Sequence, residues 1–131
     1  YTFLSTFIFQ EQFRHIDLPT HKENSFSMRV IYYLQEHVET NLTLKDLAEY
    51  FKYSESHFST LFQKETGTSP INCFTRLKIQ KACQYIELTD MKLNEIAMRL
   101  GFEEQAYFSR VFTKVMGISP SSYRKKEADN R

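Results

Sequence analysis

The sequence predicts an all-α fold in which two helix-turn-helix subdomains are joined by a long linker helix. Two observations support this prediction. The 131 residues include only three Gly and three Pro while 41% of them are hydrophobic, and such a composition disfavours a loop-rich β fold. The chain also repeats its own pattern at an offset of about fifty residues, which indicates two copies of one supersecondary unit. We place the segments at residues 1–24, 25–69, 70–90 and 91–131.

The first segment, residues 1–24, is rich in aromatic residues and closes with a connection-like stretch at residues 17–20. We expect an extra N-terminal helical segment here. Its apolar run is too short to span a bilayer and lacks the basic start of a signal peptide, so no membrane partner is expected. Two interpretations stay open: an adventitious helix, or a contact to a partner helix or a second chain, which would make a homodimer. The apolar residues of that contact would be Phe3, Leu4, Phe7 and Ile8.

A first amphipathic helix is predicted after Ser25 or Ser27, either of which is a fair N-cap. Apolar residues then recur at helical spacing, and Asn41 is a plausible stop. The recurring residues are Val30, Ile31, Leu34 and Val38.

The internal repeat predicts a helix, a tight turn and a second helix in each copy. Residues 43–53 match residues 92–102, and residues 58–70 match residues 108–120. Thr43, with Asp46 three residues further on, has the pattern of a capping box, whereas its counterpart Lys92 has no side-chain oxygen to offer. The helix that follows Lys92 should therefore fray more.

Each second helix has clear end signals. We expect one from about residue 54 to 66 and the other from about 104 to 116, ending at Gly67 and Gly117, because Gly tolerates the left-handed cap conformation. A Ser-Pro pair then begins a new helix in each copy. Lys52 occupies the turn position that Gly101 holds in the second copy, and a left-handed backbone there would carry a strain of about 1–2 kcal/mol.

The linker helix is predicted from Pro70 to about Leu88, a stretch without a helix breaker. At about 1.5 Å per residue it would be roughly 28 Å long. Two helices joined by a short turn leave the outer face of the second helix free, and such a face is able to enter a major groove. Successive groove segments on one side of B-DNA lie about 34 Å apart, so the doubled unit suits an asymmetric site on duplex DNA.

Two stretches, residues 44–70 and 94–124, resemble the DNA-binding domain of AraC-type bacterial transcription regulators. The resemblance covers about residues 27–125 and is most specific in the second copy. It implies about seven helices, two DNA-reading helices and no catalysis, with promoter DNA and RNA polymerase as partners. Residues 1–24 then resemble the end of a sensor domain, which would bind the effector ligand. The closest motifs are Ile96-Ala97, Leu100-Gly101-Phe102, Tyr107-Phe108-Ser109-Arg110-Val111-Phe112 and Gly117-Ile118-Ser119-Pro120-x-x-Tyr123-Arg124.

The resemblance places the family's base-reading positions on two sets of three residues, and these also lie on the outward faces of the predicted second helices. Arg110 can form two hydrogen bonds with guanine, and Gln105 can do the same with adenine. The family commonly has Arg where this chain has Thr60, so we expect the second copy to contribute more of the sequence discrimination. The candidate base contacts are Ser56, Ser59, Thr60, Gln105, Ala106 and Arg110.

Phosphate contacts are expected from hydroxyl and lysine side chains near these helices, while Arg76 would pair internally with an acid. Two alternatives stay open in the second copy: a surface salt bridge from Arg110 to Glu103 or Glu104, and a solvated helix start at Gln105. The candidate phosphate contacts are Ser54, Lys64, Lys78, Lys81, Ser109 and Lys114.

The formal charge of +1 is low for a domain that binds nucleic acid. The charge is unevenly placed, since residues 1–51 hold four Lys/Arg against seven Asp/Glu and residues 52–131 hold thirteen against nine. A helical protein–protein interaction module is therefore the alternative function. A DNA-repair enzyme with an attached domain of this type is a further alternative, but it needs reactive metal-bound cysteines that the sequence lacks.

No catalytic residue, metal site or cofactor is expected. Cys73 and Cys83 lie on one predicted helix with about 15 Å of rise between them, too far apart for a disulfide, and buried free thiols fit a soluble protein of the reducing cytoplasm. No glycine-rich phosphate loop or nucleophile motif appears. The four histidines have no metal-ligand spacing: His15, His21, His37 and His57.

Overall fold

The computed structural model describes residues 25–130, which form seven α-helices and no strand. The predicted all-α fold is confirmed. The predicted N-terminal helix and its dimer contact lie outside the described residues. The helices are α1 (Phe26–Glu36), α2 (Leu44–Phe51), α3 (Glu55–Thr66), α4 (Pro70–Leu88), α5 (Leu93–Arg99), α6 (Gln105–Met116) and α7 (Pro120–Asp129).

Helix α1 begins where the sequence predicted and ends earlier. Ser25 is its N-cap and accepts a hydrogen bond from the backbone N–H of Met28. The prediction that the helix runs to Asn41 is wrong, because α1 ends at Glu36. The backbone N–H of the next residue, His37, donates a hydrogen bond to the carbonyl of Leu34. Residues 38–41 then form an irregular segment that lies beside the other half of the protein.

Two separate hydrophobic cores form along the linker helix α4. The N-terminal half of α4 packs with α1, α2 and α3 through Cys73, Phe74 and Leu77. The C-terminal half packs with α5, α6 and α7, and it begins with Ile79. Here we call α1–α3 unit one and α5–α7 unit two. The change from one core to the other occurs across a single residue of α4, Lys78.

The helix caps follow the predicted patterns. Thr43 and Asp46 form a reciprocal capping box, with hydrogen bonds of 3.1 and 2.9 Å. At the corresponding start of α5, the side chain of Lys92 makes no cap hydrogen bond, and only the Glu95 carboxylate accepts from the Lys92 backbone N–H. This difference leaves one more amide donor of α5 without a side-chain partner.

The two tight turns have the same backbone hydrogen bond but different residues at the left-handed position. In unit one, Lys52 has φ 63° and ψ 47°, and Tyr53 N–H donates to Ala48 O. In unit two, Gly101 has φ +85°, and the matching bond joins Phe102 N–H to Ala97 O. Lys52 thus has the left-handed backbone for which the sequence analysis gave the strain, and it is the one non-glycine residue with positive φ in residues 25–130.

Both cysteines lie buried in α4 as free thiols. Burial raises the pKa of each thiol to about 12. Among residues 25–130, no helix is long and apolar enough to cross a membrane, and no cluster of three or more His, Cys, Asp or Glu side chains is arranged to hold a metal ion.

Candidate nucleic-acid interface

The second helix of each unit buries one face and exposes the other. Helix α3 buries Phe58 and Phe62 completely, and α6 does the same with Phe108 and Phe112. Because each pair is spaced four residues apart, its members lie on the same side of the helix. The opposite side of each helix is therefore left to solvent.

The six candidate base contacts lie on these outward faces. In unit one, Ser56 and Thr60 are exposed and Ser59 is half-buried, whereas in unit two Gln105, Ala106 and Arg110 are all exposed. The faces differ in chemistry, since α3 presents hydroxyl groups and α6 presents an amide and a guanidinium. A guanidinium forms paired hydrogen bonds that hydroxyl groups do not.

Arg110 is held over a neighbouring aromatic ring. Its guanidinium carbon lies 5.6 Å from the ring centroid of Tyr107, which is itself 52% exposed. Within the described residues Arg110 forms no ion pair, so the alternative of a salt bridge to Glu103 or Glu104 is not what the structure contains. A cation–π contact at an exposed site is weak, about 0.5–1 kcal/mol, and it leaves the edge of the guanidinium available to a ligand.

Three of the candidate phosphate contacts are exposed near the ends of α3 and α6: Ser54, Lys64 and Lys114. Ser54 is the N-cap of α3, where its hydroxyl accepts from His57 N–H at 3.1 Å and keeps its own hydrogen to donate. Lys64 and Lys114 occupy the last turns of α3 and α6, where a cation is favoured by the helix dipole.

The other candidates are less exposed. Ser109 is half-buried on α6. Lys81 is half-buried on α4, with its ammonium 5.4 Å from the ring centroid of Tyr85.

Lys78 is wrong as a candidate phosphate contact. Lys78 is only 6% exposed. Its ammonium donates three hydrogen bonds, to the backbone carbonyls of Val38, Thr40 and Leu100. Burial lowers the pKa of this ammonium to about 8, with the carboxylate of Glu39 acting in the opposite direction. All three donors are occupied, so none is left for a phosphate.

A family model described as a helix-turn-helix domain matches residues 47–126. The MmsAB operon regulatory protein of Pseudomonas aeruginosa is 39% identical over 94 residues, which are 72% of this chain and 31% of that protein. The chain thus spans about a third of the length of this relative.

Two solved structures are similar in fold as well as sequence. The C-terminal domain of AraT, a response regulator from Geobacillus stearothermophilus, matches with a TM-score of 0.73 and 36% identity, covering 76% of this chain and 84% of that one. The DNA-binding domain of the transcription factor AdpA, solved in complex with a target DNA, matches with a TM-score of 0.76 and 25% identity, covering 80% of this chain and 95% of that one. The repeated helix-turn-helix, its exposed second helices and these matches together show that the chain belongs to the AraC-type helix-turn-helix family of transcription regulators.

Proposed function

We propose that this chain is the sequence-specific DNA-binding domain of a transcription regulator, which inserts α3 and α6 into successive major-groove segments of an asymmetric site. The observation that supports this most directly is the shared pattern of α3 and α6, in which two buried phenylalanines hold each helix and the opposite face is exposed. Helix α4 has 19 residues and is therefore about 28 Å long. That length, with the width of the units it joins, suits a groove repeat of about 34 Å.

We propose that α6 contributes more of the sequence discrimination than α3. The test compares Arg110→Ala with Thr60→Ala on the duplex that the wild type selects from a random pool. Loss of a two-bond contact to guanine costs about 1–3 kcal/mol and relaxes the preference at that base pair. We expect Thr60→Ala to weaken binding less, because a single hydroxyl discriminates less. A larger loss for Thr60→Ala than for Arg110→Ala would show that α3 is the dominant reader.

Phosphate contacts provide the test against the protein–protein interaction module. DNA binding releases counterions, so the logarithm of the binding constant falls linearly with the logarithm of salt concentration, with a slope of about −0.9 per phosphate neutralised. We expect Lys64→Gln and Lys114→Gln each to make that slope shallower by about one, with little change in sequence preference. Absent or salt-insensitive duplex binding by the wild type would favour the interaction module.

The partners of the whole regulator are also proposals. We propose that an effector ligand is bound by a separate sensor domain, that RNA polymerase is a partner, and that residues 1–24 provide a dimer contact. Sedimentation of the chain with and without residues 1–20 tests the last point. A dimer that survives the truncation would place the contact elsewhere.

A further inference from the structure

Lys78 lies at the junction of the two units and bonds to both. Its ammonium donates to Val38 O at 2.8 Å and to Thr40 O at 2.6 Å, both in the segment that follows α1 of unit one. It also donates to Leu100 O at 2.5 Å, at the end of α5 in unit two. A single buried side chain on the linker helix thus holds backbone atoms of both units.

The three carbonyls suit an ammonium because of where they lie. Leu100 caps the C-terminal end of α5, and Val38 and Thr40 follow the C-terminal end of α1. Only the Leu100 carbonyl belongs to a helix C-terminus, where carbonyls lack intrahelical donors and carry partial negative charge; Val38 and Thr40 lie in the irregular segment beyond α1. The charge-assisted hydrogen bonds are shielded from water by burial of Lys78 and by the ring of Phe74, whose centroid lies 4.4 Å from the ammonium. Such bonds are stronger than neutral ones.

A second contact joins the same three parts of the fold at the surface. The carboxylate of Glu39 in unit one accepts from the hydroxyl of Tyr85 on α4 and lies 3.5 Å from Nε of Arg99 in unit two. The guanidinium of Arg99 also lies 5.7 Å from the ring centroid of Tyr85. Both charged side chains are about half exposed, so this network contributes less than the buried Lys78.

The units also touch directly beside Lys78. A Cβ atom placed on Gly101 would lie 2.5 Å from the side-chain oxygen of Asn41 and 3.3 Å from the Lys78 ammonium. The turn before α6 therefore lies against the Asn41 side chain in the segment that follows α1, and that side chain would have to shift to admit a Cβ at Gly101. Displacement of either unit would break this contact and the hydrogen bonds of Lys78 together.

We propose that Lys78 is a positioning residue for DNA recognition: by clamping residues 38–40 to the end of α5, it sets the separation and rotation of α3 and α6 and so determines which half-site spacing the domain accepts. This inference rests on the proposed DNA-binding function. One inserted base pair moves one half-site by about 3.4 Å along the duplex and turns it by about one tenth of a helical turn. A domain with fixed reading helices cannot follow that displacement without losing contacts.

The first test measures binding to a set of duplexes that differ only in the number of base pairs between the two half-sites. For the wild type we expect at least a tenfold loss when one base pair is inserted or deleted. Lys78→Met keeps the length of the side chain and removes its donors, and we expect its loss to be under threefold, with unchanged binding to a duplex that carries one half-site. Lys125→Met removes the same charge from an exposed site on α7 and should keep the wild-type profile. A Lys78→Met profile as steep as that of the wild type overturns the proposal.

If Lys78→Met does not fold, as judged by circular dichroism, Lys78→Gln decides the question. Its amide keeps a polar group at this position but has only two donors, so it cannot hold all three carbonyls. We expect Lys78→Gln also to lose under threefold when one base pair is inserted or deleted. A Lys78→Gln profile as steep as that of the wild type overturns the proposal.

The second test needs no DNA and separates this inference from the proposed function. Spin labels on Gln63→Cys and Thr113→Cys, exposed positions of α3 and α6, report the distance between the reading helices by electron–electron double resonance. The native cysteines are buried and should not take up label. We expect one narrow distance distribution with Lys78 and a broader one with Lys78→Met. Broadening without any duplex binding by the wild type would overturn the proposed function and leave the clamp intact, whereas an unchanged distribution overturns the clamp.

Discussion

Replacement of Lys52 by glycine should stabilise the protein. Lys52 holds the left-handed position of the first tight turn, with φ 63° and ψ 47°, and that conformation costs an L-residue about 1–2 kcal/mol. Glycine at the same place removes this strain but adds freedom to the unfolded chain, which opposes folding by about 0.4–1 kcal/mol. The free energy of unfolding of Lys52→Gly should therefore rise by about 0.5–1 kcal/mol.

The assay is equilibrium unfolding in urea, followed by circular dichroism. At a slope of about 2 kcal/mol per molar urea, the midpoint should rise by roughly 0.3–0.5 M. Lys52→Ala is the matched control, because it removes the same exposed side chain but keeps a Cβ and hence the strain. We expect Lys52→Ala to stay within about 0.5 kcal/mol of the wild type. Equal stability of the two variants would refute the assignment of strain to the backbone at this residue.

Three further predictions use the repeat and the buried thiols. Gly117→Ala should lower the free energy of unfolding by about 1 kcal/mol through its left-handed backbone alone, since no atom lies within 4 Å of the new Cβ. Gly101→Ala should lower it more in urea unfolding, because its Cβ would meet Asn41. Lys92→Thr should raise the free energy of unfolding by about 1 kcal/mol, because it supplies the cap that Thr43 provides in the first copy; no gain would mean that the start of α5 is not limited by its cap. Both cysteines should resist a thiol reagent at pH 8 in the native protein and react at once in denaturant. The reason is that a pKa of about 12 leaves roughly one thiol in ten thousand ionised at pH 8. Fast labelling of either cysteine in the native protein would contradict their burial.

The repeated parts of the fold were predictable because their signals are local. A capping residue, a glycine at a helix end and a Ser-Pro start act within a few residues of the chain. Helix α4 begins at Pro70 and ends at Leu88 as predicted. The end of α1 was missed because Asn41 has the residue type of a stop, while the chain leaves the helix five residues earlier to reach the other unit.

The error at Lys78 has a different origin. In the sequence, Lys78 and Lys81 were both interpreted as solvated lysines of one helix. Lys78 differs because its acceptors, which lie 22 to 40 residues away in the chain, come together around it. A signal was available in the apolar pattern of α4, since Lys78 interrupts a run in which Leu77 and Ile79 are both buried.

The sequence by itself determined the all-α class, the doubled helix-turn-helix and the outward faces of α3 and α6, because helical periodicity and end signals depend on residues a few positions apart. The tertiary structure alone decided that Lys78 is not available to a ligand. Arg110 is exposed on its predicted outward face, whereas Lys78 is buried, although both are cations on helices. The reason is physical: the free energy of a buried charge depends on the donors and acceptors that surround it in space, and the three carbonyls around Lys78 are brought there by the packing of two separate units.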